Sequence, residues 1–209
     1  MKVRGAGARW SAVVVACLVT VGIVSAEDLV SNGTFELGQA GWTVGYAPHG
    51  TLDYSEVDAQ GSATSGSALL TNISTAPWGS FWVWQCVPVS AGEFDLGAQV
   101  MVPFGQGTNG NISVAVQWYG MASCEGTSVS AEATAVLNPD VTGTWRWTTA
   151  TFFSPPPGTV SGRVSLQLSK EQDSGSLGVH FDNVYLGTAG GIGELFSDGF
   201  ESGDVSAWP

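Results

Sequence analysis

Phe81-Trp-Val-Trp-Gln-Cys-Val-Pro-Val89 and, shortly after it, Phe94-Asp-Leu-Gly-Ala-Gln-Val-Met-Val102 decide how this chain folds. In the first stretch Phe81, Val83, Val87 and Val89 fall on one face and Trp82, Trp84 and Cys86 on the other. In the second, Phe94, Leu96, Ala98, Val100 and Val102 oppose Asp95, Gly97, Gln99 and Met101. A period of two is that of a β-strand, and one apolar face backed by one mixed face is what each strand of a two-sheet sandwich needs. Ile112-Ser-Val-Ala-Val-Gln-Trp-Tyr119 repeats the pattern, with Ile112, Val114, Val116 and Trp118 against Ser113, Ala115, Gln117 and Tyr119. Further strands are expected at 145–153, 160–169 and 177–186. The polar stretch from Gly120 to Pro139 reads as a long loop, and Pro155-Pro-Pro157-Gly158 breaks the chain between two strands. Helical periodicity is almost absent, so the fold is read as all-β and antiparallel.

The chain starts with Lys2, Arg4 and Arg9, an apolar run from Ser11 to Val24, and Val24-Ser25-Ala26 ahead of Glu27 and Asp28. That is the plan of a secretory signal peptide over residues 1–26; the alternative, a retained anchor, is disfavoured because the run falls short of the ~20 apolar residues that span a bilayer. Removal of the leader leaves Arg146, Arg163 and Lys170 against 18 acidic residues, which argues against a nucleic-acid partner. The acids stand singly among Gly, Ser and Thr, as on a solvated surface. Nine Trp and nine Phe argue against disorder. Cys17 leaves with the leader, and the remaining pair, Cys86 and Cys124, is expected to form a disulfide in an oxidising compartment; two buried thiols are the alternative.

Several motifs, in order, resemble the CenC-type carbohydrate-binding modules. Asn32-Gly-Thr-Phe-Glu36 with Gly41-Trp42 resembles their opening, and Ser65-Gly-Ser-Ala-Leu69 is similar to their second strand. Gln85-Cys-Val-Pro-Val-Ser-Ala-Gly-Glu-Phe-Asp-Leu96 looks like a further family segment, with Phe94 where Tyr is usual. Trp145, spaced to Phe152, and Phe181-Asp-Asn-Val-Tyr-Leu186 complete the likeness, which runs from Leu29 to Leu186. The resemblance implies a galactose-binding-like jelly roll, a bacterial origin, and a polysaccharide or oligosaccharide as partner. It also implies a structural calcium ion on Glu36 and Asp182, with Asp58 a further ligand on weaker grounds. Hard oxygen donors from distant parts of a chain suit calcium; the alternative is that both carboxylates only accept backbone amides at strand ends.

A pyranose ring stacks its apolar face on an indole or phenol, and its hydroxyls need the paired donors and acceptors of amides. The mixed strand faces therefore nominate Trp82, Trp84, Gln99, Gln117, Tyr119 and Arg146 as ligand-binding residues. For Trp82 and Trp84, packing beneath the Cys124 loop is the competing reading. Trp78 is expected at a rim, and Trp42, Trp118 and Trp145 in the core.

No catalytic residue is nominated. Glu93-Phe-Asp95 does not complete a jelly-roll glycosidase motif, since no third carboxylate follows along the strand. Only His49 and His180 are present, there is no Gly-x-Ser-x-Gly elbow, and a His180–Asp182 pair would have no assignable nucleophile. The tail after Gly187-Thr-Ala-Gly-Gly-Ile-Gly193 resembles a segment found at the C-terminus of many exported bacterial proteins. A sorting or anchoring tag, a remnant, and a strand added to a sheet edge are the readings open for it. The expected protein is thus a secreted, non-catalytic carbohydrate binder, free or attached to the cell surface. The alternative is a structural or adhesive surface protein that uses the same fold for protein contacts or self-association.

Overall fold

A computed structural model describes residues 28–133 and 143–189. The proposed leader and the C-terminal tail lie outside the described residues. The strands are β1 (Thr43–Val44), β2 (Gly50–Ser55), β3 (Ser67–Asn72), β4 (Ser80–Pro88), β5 (Phe94–Met101), β6 (Gly110–Tyr119), β7 (Ser130–Ala133), β8 (Arg146–Phe153), β9 (Ser161–Lys170) and β10 (Leu177–Thr188). A single turn of 3-10 helix, Ala47–His49, precedes β2.

The strands form two five-stranded sheets, in the orders β2-β3-β10-β5-β8 and β1-β4-β9-β6-β7, and the pairings are antiparallel throughout. This is a two-sheet jelly-roll sandwich. Its core is built from the faces that the alternation singles out. Phe81, Val83 and Val87 of β4 and Val164, Leu166 and Leu168 of β9 lie inward, facing Leu96, Ala98 and Val100 of β5 and Val179 and Phe181 of β10, all buried. Trp118 is fully buried, with Phe94 and Phe153 at centroid distances of 6.1 and 6.0 Å. Trp42 is also in the core and stacks on Phe35 at 5.6 Å.

Gln85 interrupts the apolar face of β4 for a structural reason. Its Oε1 accepts from the Ser31 amide at 2.8 Å and its Nε2 donates to the Ser31 carbonyl at 2.9 Å. A buried amide is tolerated where both ends are satisfied. That pair ties the segment before β1 to the sandwich. On the other side the Leu29 amide donates to the Leu186 carbonyl at 2.8 Å, and the Val184 amide to the Gly33 carbonyl at 3.0 Å. A Cβ on Gly33 would overlap the Val184 carbonyl oxygen, so only glycine permits this approach.

Three expectations need correction. The stretch 120–139 contains strand β7, which pairs with the end of β6 through Gln117↔Ala131 and its neighbours; its sequence, Ser130-Ala-Glu-Ala133, is too short and too polar to announce a strand by pattern. Trp145 is not a core residue: it is half-buried just before β8, with its ring edge toward His180 at 6.2 Å. Gly187 and Thr188, read as the start of a linker, extend β10 by pairing with Asp95 and Phe94.

Candidate functional site

The outward face of the β1-β4-β9-β6-β7 sheet gathers most of the nominated side chains. Along β4 the outward positions Trp82, Trp84 and Cys86 are half-buried while their neighbours are inside. Register places Trp82 opposite Gln167 and Trp84 opposite Ser165 on β9, and Gln117 of β6 opposite Arg163. Two indoles in line on one strand thus stand beside half-buried amides on the next two. Trp82 is flanked by Gly45, whose amide donates to the Trp82 carbonyl at 2.9 Å and where a Cβ would overlap the indole. Beyond it Tyr46 is 46% exposed, with its ring edge-on to His49 at 4.5 Å. Trp78, 54% exposed in the turn before β4, has a positive φ of 56°.

The other end of the face is closed by the Cys86–Cys124 disulfide, which joins β4 to the loop after β6 with a Cα–Cα distance of 5.9 Å. Arg163 lies at this end on the central strand. Its guanidinium carbon is 4.6 Å from the Trp84 ring centroid and 4.9 Å from that of Tyr119, and Nη2 donates to the Cys124 carbonyl. Arg163 is the residue that sequence reading missed, together with Gln167. Both share the polar side of β9, opposite Val164, Leu166 and Leu168, so the same alternation that exposed Trp82 and Trp84 would have found them.

Of the six nominated ligand-binding residues, Trp82, Trp84 and Gln117 share this face with accessible surface. Tyr119 shares the face but is only 3% exposed, covered at the Cys124 loop, so its ring stacks on Arg163 and not on a ligand. Gln99 and Arg146 belong to the other sheet. Gln99, on β5, accepts from Gln60 Nε2 at 3.1 Å and Asn183 Nδ2 at 2.6 Å; Arg146 opens the edge strand β8 opposite Val100. Alternation tells which side of a strand a residue takes, but the sheet a strand joins is set by pairing with distant strands.

Asp182 is fully buried on β10, accepting the Ala59 amide at 2.9 Å and the Asn183 amide at 2.7 Å. Burial pushes its carboxyl up to about 6, against those two amides and with help from the neighbouring charge of Asp58. Asp58 accepts the amides of Gln60 and Ser62 with Oδ1, while its buried Oδ2 has no partner. Asp58, rather than the exposed Glu36, is therefore the acid that acts on Asp182. Two carboxylates held together, one oxygen of them unpaired, suit a hard cation, although no group of three or more ligating side chains occurs among the described residues.

Nothing in the described residues assembles a catalytic group. His180 pairs with Ser67, not Asp182: Ser67 Oγ lies 2.9 Å from Nδ1. Ser67 is fully buried and His180 5% exposed, so no substrate reaches the pair, and burial lowers the imidazole pKa. Glu93 lines an open cleft of about 500 Å³ between the turns 90–93 and 154–159, where it is the sole ionisable side chain among prolines, glycines and small residues. A cleft with one carboxylate and no convergent polar groups lacks what acid–base chemistry needs.

No family model and no curated protein matches the sequence. Solved structures do match by shape. A family 22 carbohydrate-binding module of Clostridium thermocellum Xyn10B superposes with a TM-score of 0.55 at 17% identity, covering 75% of this chain and 92% of that one. The chain has the jelly-roll fold of such modules. A family 16 carbohydrate-binding module gives 0.52 at 19% identity, covering 76% and 99%. The enzymatically active domain of bacteriophage CBA120 tailspike protein 4 gives 0.55 at 17% identity, covering 77% of this chain; the present chain spans only 21% of that protein's length.

Proposed function

We propose that this protein is a non-catalytic carbohydrate-binding module, exported from the cell, whose binding surface is the outward face of β4, β9 and β6. The observation that carries the reading is the in-line pair Trp82 and Trp84 with the amides of Gln167 and Gln117 on the adjoining strands. The indoles offer apolar platforms for pyranose rings, and the amides supply donors and acceptors for hydroxyls. The fold neighbours support it, since two of the three are named as carbohydrate-binding modules. Export is supported by the disulfide and by the leader-like N-terminus; no helix of the described residues is long and apolar enough to cross a membrane.

The test is a glycan array probed with the purified protein. Wild type binds at least one saccharide class, and Trp84→Ala loses that binding by about tenfold or more, stacking on one ring contributing about 1–3 kcal/mol, with an unchanged circular dichroism spectrum. Retention of all binding in both Trp82→Ala and Trp84→Ala would rule this surface out. A second reading, protein contact or self-association, is favoured by edge strand β8, where Phe152 is 67% exposed. Concentration-dependent assembly in sedimentation velocity, with no glycan bound, supports it instead.

A calcium ion at this module would be held by Asp182 and the unpaired oxygen of Asp58, and would link β10 to the segment after β2. Its chemistry there would be to neutralise the two acids. Adding millimolar calcium to chelator-treated protein is expected to raise Tm at pH 7.5, and to do nothing in Asp182→Asn; an unchanged wild-type Tm rules the ion out.

A further inference from the structure

We infer that the ligand of this face is an acidic saccharide, one bearing a carboxylate or sulfate group, and that Arg163 receives the anion. The inference rests on the reading that the face binds a glycan, and it names the class. The chain carries 18 acidic residues against six basic ones, yet register leaves no Asp or Glu at any outward position of β1, β4, β9, β6 and β7. Those positions hold Ser, Thr, Asn, Gln, Ala, Cys, Pro, aromatic residues and a single charge, that of Arg163. The outward strand positions around Arg163 are thus free of acids in a strongly acidic chain.

Among the described residues no carboxylate pairs with Arg163, its Nε is buried with no hydrogen-bond partner, and the Cys124 carbonyl takes only one of its donors. A guanidinium half-withdrawn from water without a negative partner is unfavourable unless something else supplies the charge. The flanking rings of Trp84 and Tyr119, at 4.6 and 4.9 Å, attract the cation and fix its plane; with Nε buried and Nη2 on the Cys124 carbonyl, the remaining terminal N–H groups are the ones left for an oxygen of a carboxylate or sulfate. Gln117 lies directly across from it on β6, placed for a hydroxyl of the same sugar unit.

The net charge of −12 opposes a polyanion. At physiological salt, however, charges more than a Debye length of about 8 Å away are largely screened, whereas contact with a half-buried guanidinium is not. The local contact therefore decides.

The experiment titrates the full chain by calorimetry with three probes: oligogalacturonides of three to six units, the same oligosaccharides after chemical reduction of their carboxyl groups, and sulfated dextran oligosaccharides. The charged sugars are expected to bind at least about tenfold more tightly than the reduced ones. Arg163→Gln should abolish that preference and Arg163→Lys should keep part of it. Because Arg163 also holds the Cys124 loop, the comparison of native with reduced sugars in wild type stands independently of either variant. Tighter binding of sulfated dextran than of galacturonides also upholds the inference, with sulfate as the anion. Equal affinity for native and reduced sugars, with sulfated dextran bound no more tightly than either, overturns it while leaving the glycan-binding face intact, and failure of every saccharide, charged or neutral, overturns both.

Discussion

Each outward residue of β4 is defined by what crosses it. Trp82 meets Gly45 and Trp84 meets Arg163, so both indoles are partly covered and held in one orientation, which lowers the entropy lost when a ligand stacks on them. Tyr119 is covered completely and serves as the floor beneath Arg163. The buried acid Asp182 gives a prediction in pH. Its folded pKa of about 6 lies above the value of 3.8 for the open chain, so folding takes up a proton; the stabilisation is full below pH 4 and is lost as pH rises through 6. His180, two residues away on the same face, works in reverse. Its folded pKa is below 6.5, so the unfolded chain binds the proton and stability falls as pH drops through 6.5. The two slopes oppose each other, and variants separate them. In chelator, Tm compared between pH 7.5 and pH 5 should become less favourable to the acidic side in Asp182→Asn and more favourable in His180→Gln. Identical pH profiles for wild type and both variants would contradict these opposed roles.

At the level of elements, the loop after β6 and the segment before β1 are the parts least able to hold their place alone. The loop is fastened by Cys86–Cys124, by Ser161 Oγ donating to the Met121 carbonyl at 2.5 Å, and by Arg163. The disulfide closes a separation of 38 residues, for which the chain-entropy model gives about 4 kcal/mol as an upper figure. Cys86→Ser with Cys124→Ser is expected to lower stability by about 2–4 kcal/mol in urea unfolding and to expose Tyr119, which would appear as increased quenching of tyrosine fluorescence by acrylamide. A stability loss without any change in Tyr119 accessibility would show that the loop keeps its place without the bond. The N-terminal segment depends on Gly33 and Gln85. Gly33→Ala forces the chain off the Val184 carbonyl and should cost about 1–3 kcal/mol; a neutral result would mean that this approach is not close. Several of the motif residues that resemble the CenC-type modules act here. Asn32 Oδ1 accepts the Leu37 amide and its Nδ2 donates to the carbonyls of Gly38 and Ala40, Trp42 Nε1 donates to the Asn32 carbonyl, and Gln85 holds Ser31. Such motifs report how the sandwich is closed, and so speak to fold more than to ligand.

Across the whole molecule, the central strand β9 brings the two halves of the site together. It pairs with β4 on one side and β6 on the other, and so sets Arg163 between Trp84 and Tyr119 from three separate parts of the chain. At this scale the core should be cooperative: Trp118→Ala, which removes the ring between Phe94 and Phe153, is expected to cost about 3–5 kcal/mol, whereas Trp84→Ala on the outer face should cost far less. Equal losses in chemical denaturation would mean that Trp84 is a packing residue. Strand content, the inward and outward sides of β4, β5 and β6, and the cysteine pair were all legible in the residues alone, because alternation is local and a period of two needs only neighbours to be read. Tertiary structure decided which strands share a sheet, and with it that Gln99 and Arg146 stand apart from Trp82 and Trp84 while Arg163 and Gln167 join them. It decided too that Tyr119 is covered and that Asp58 crowds Asp182, since both follow from loops folded onto a sheet by contacts between residues far apart in the chain, which no local pattern encodes.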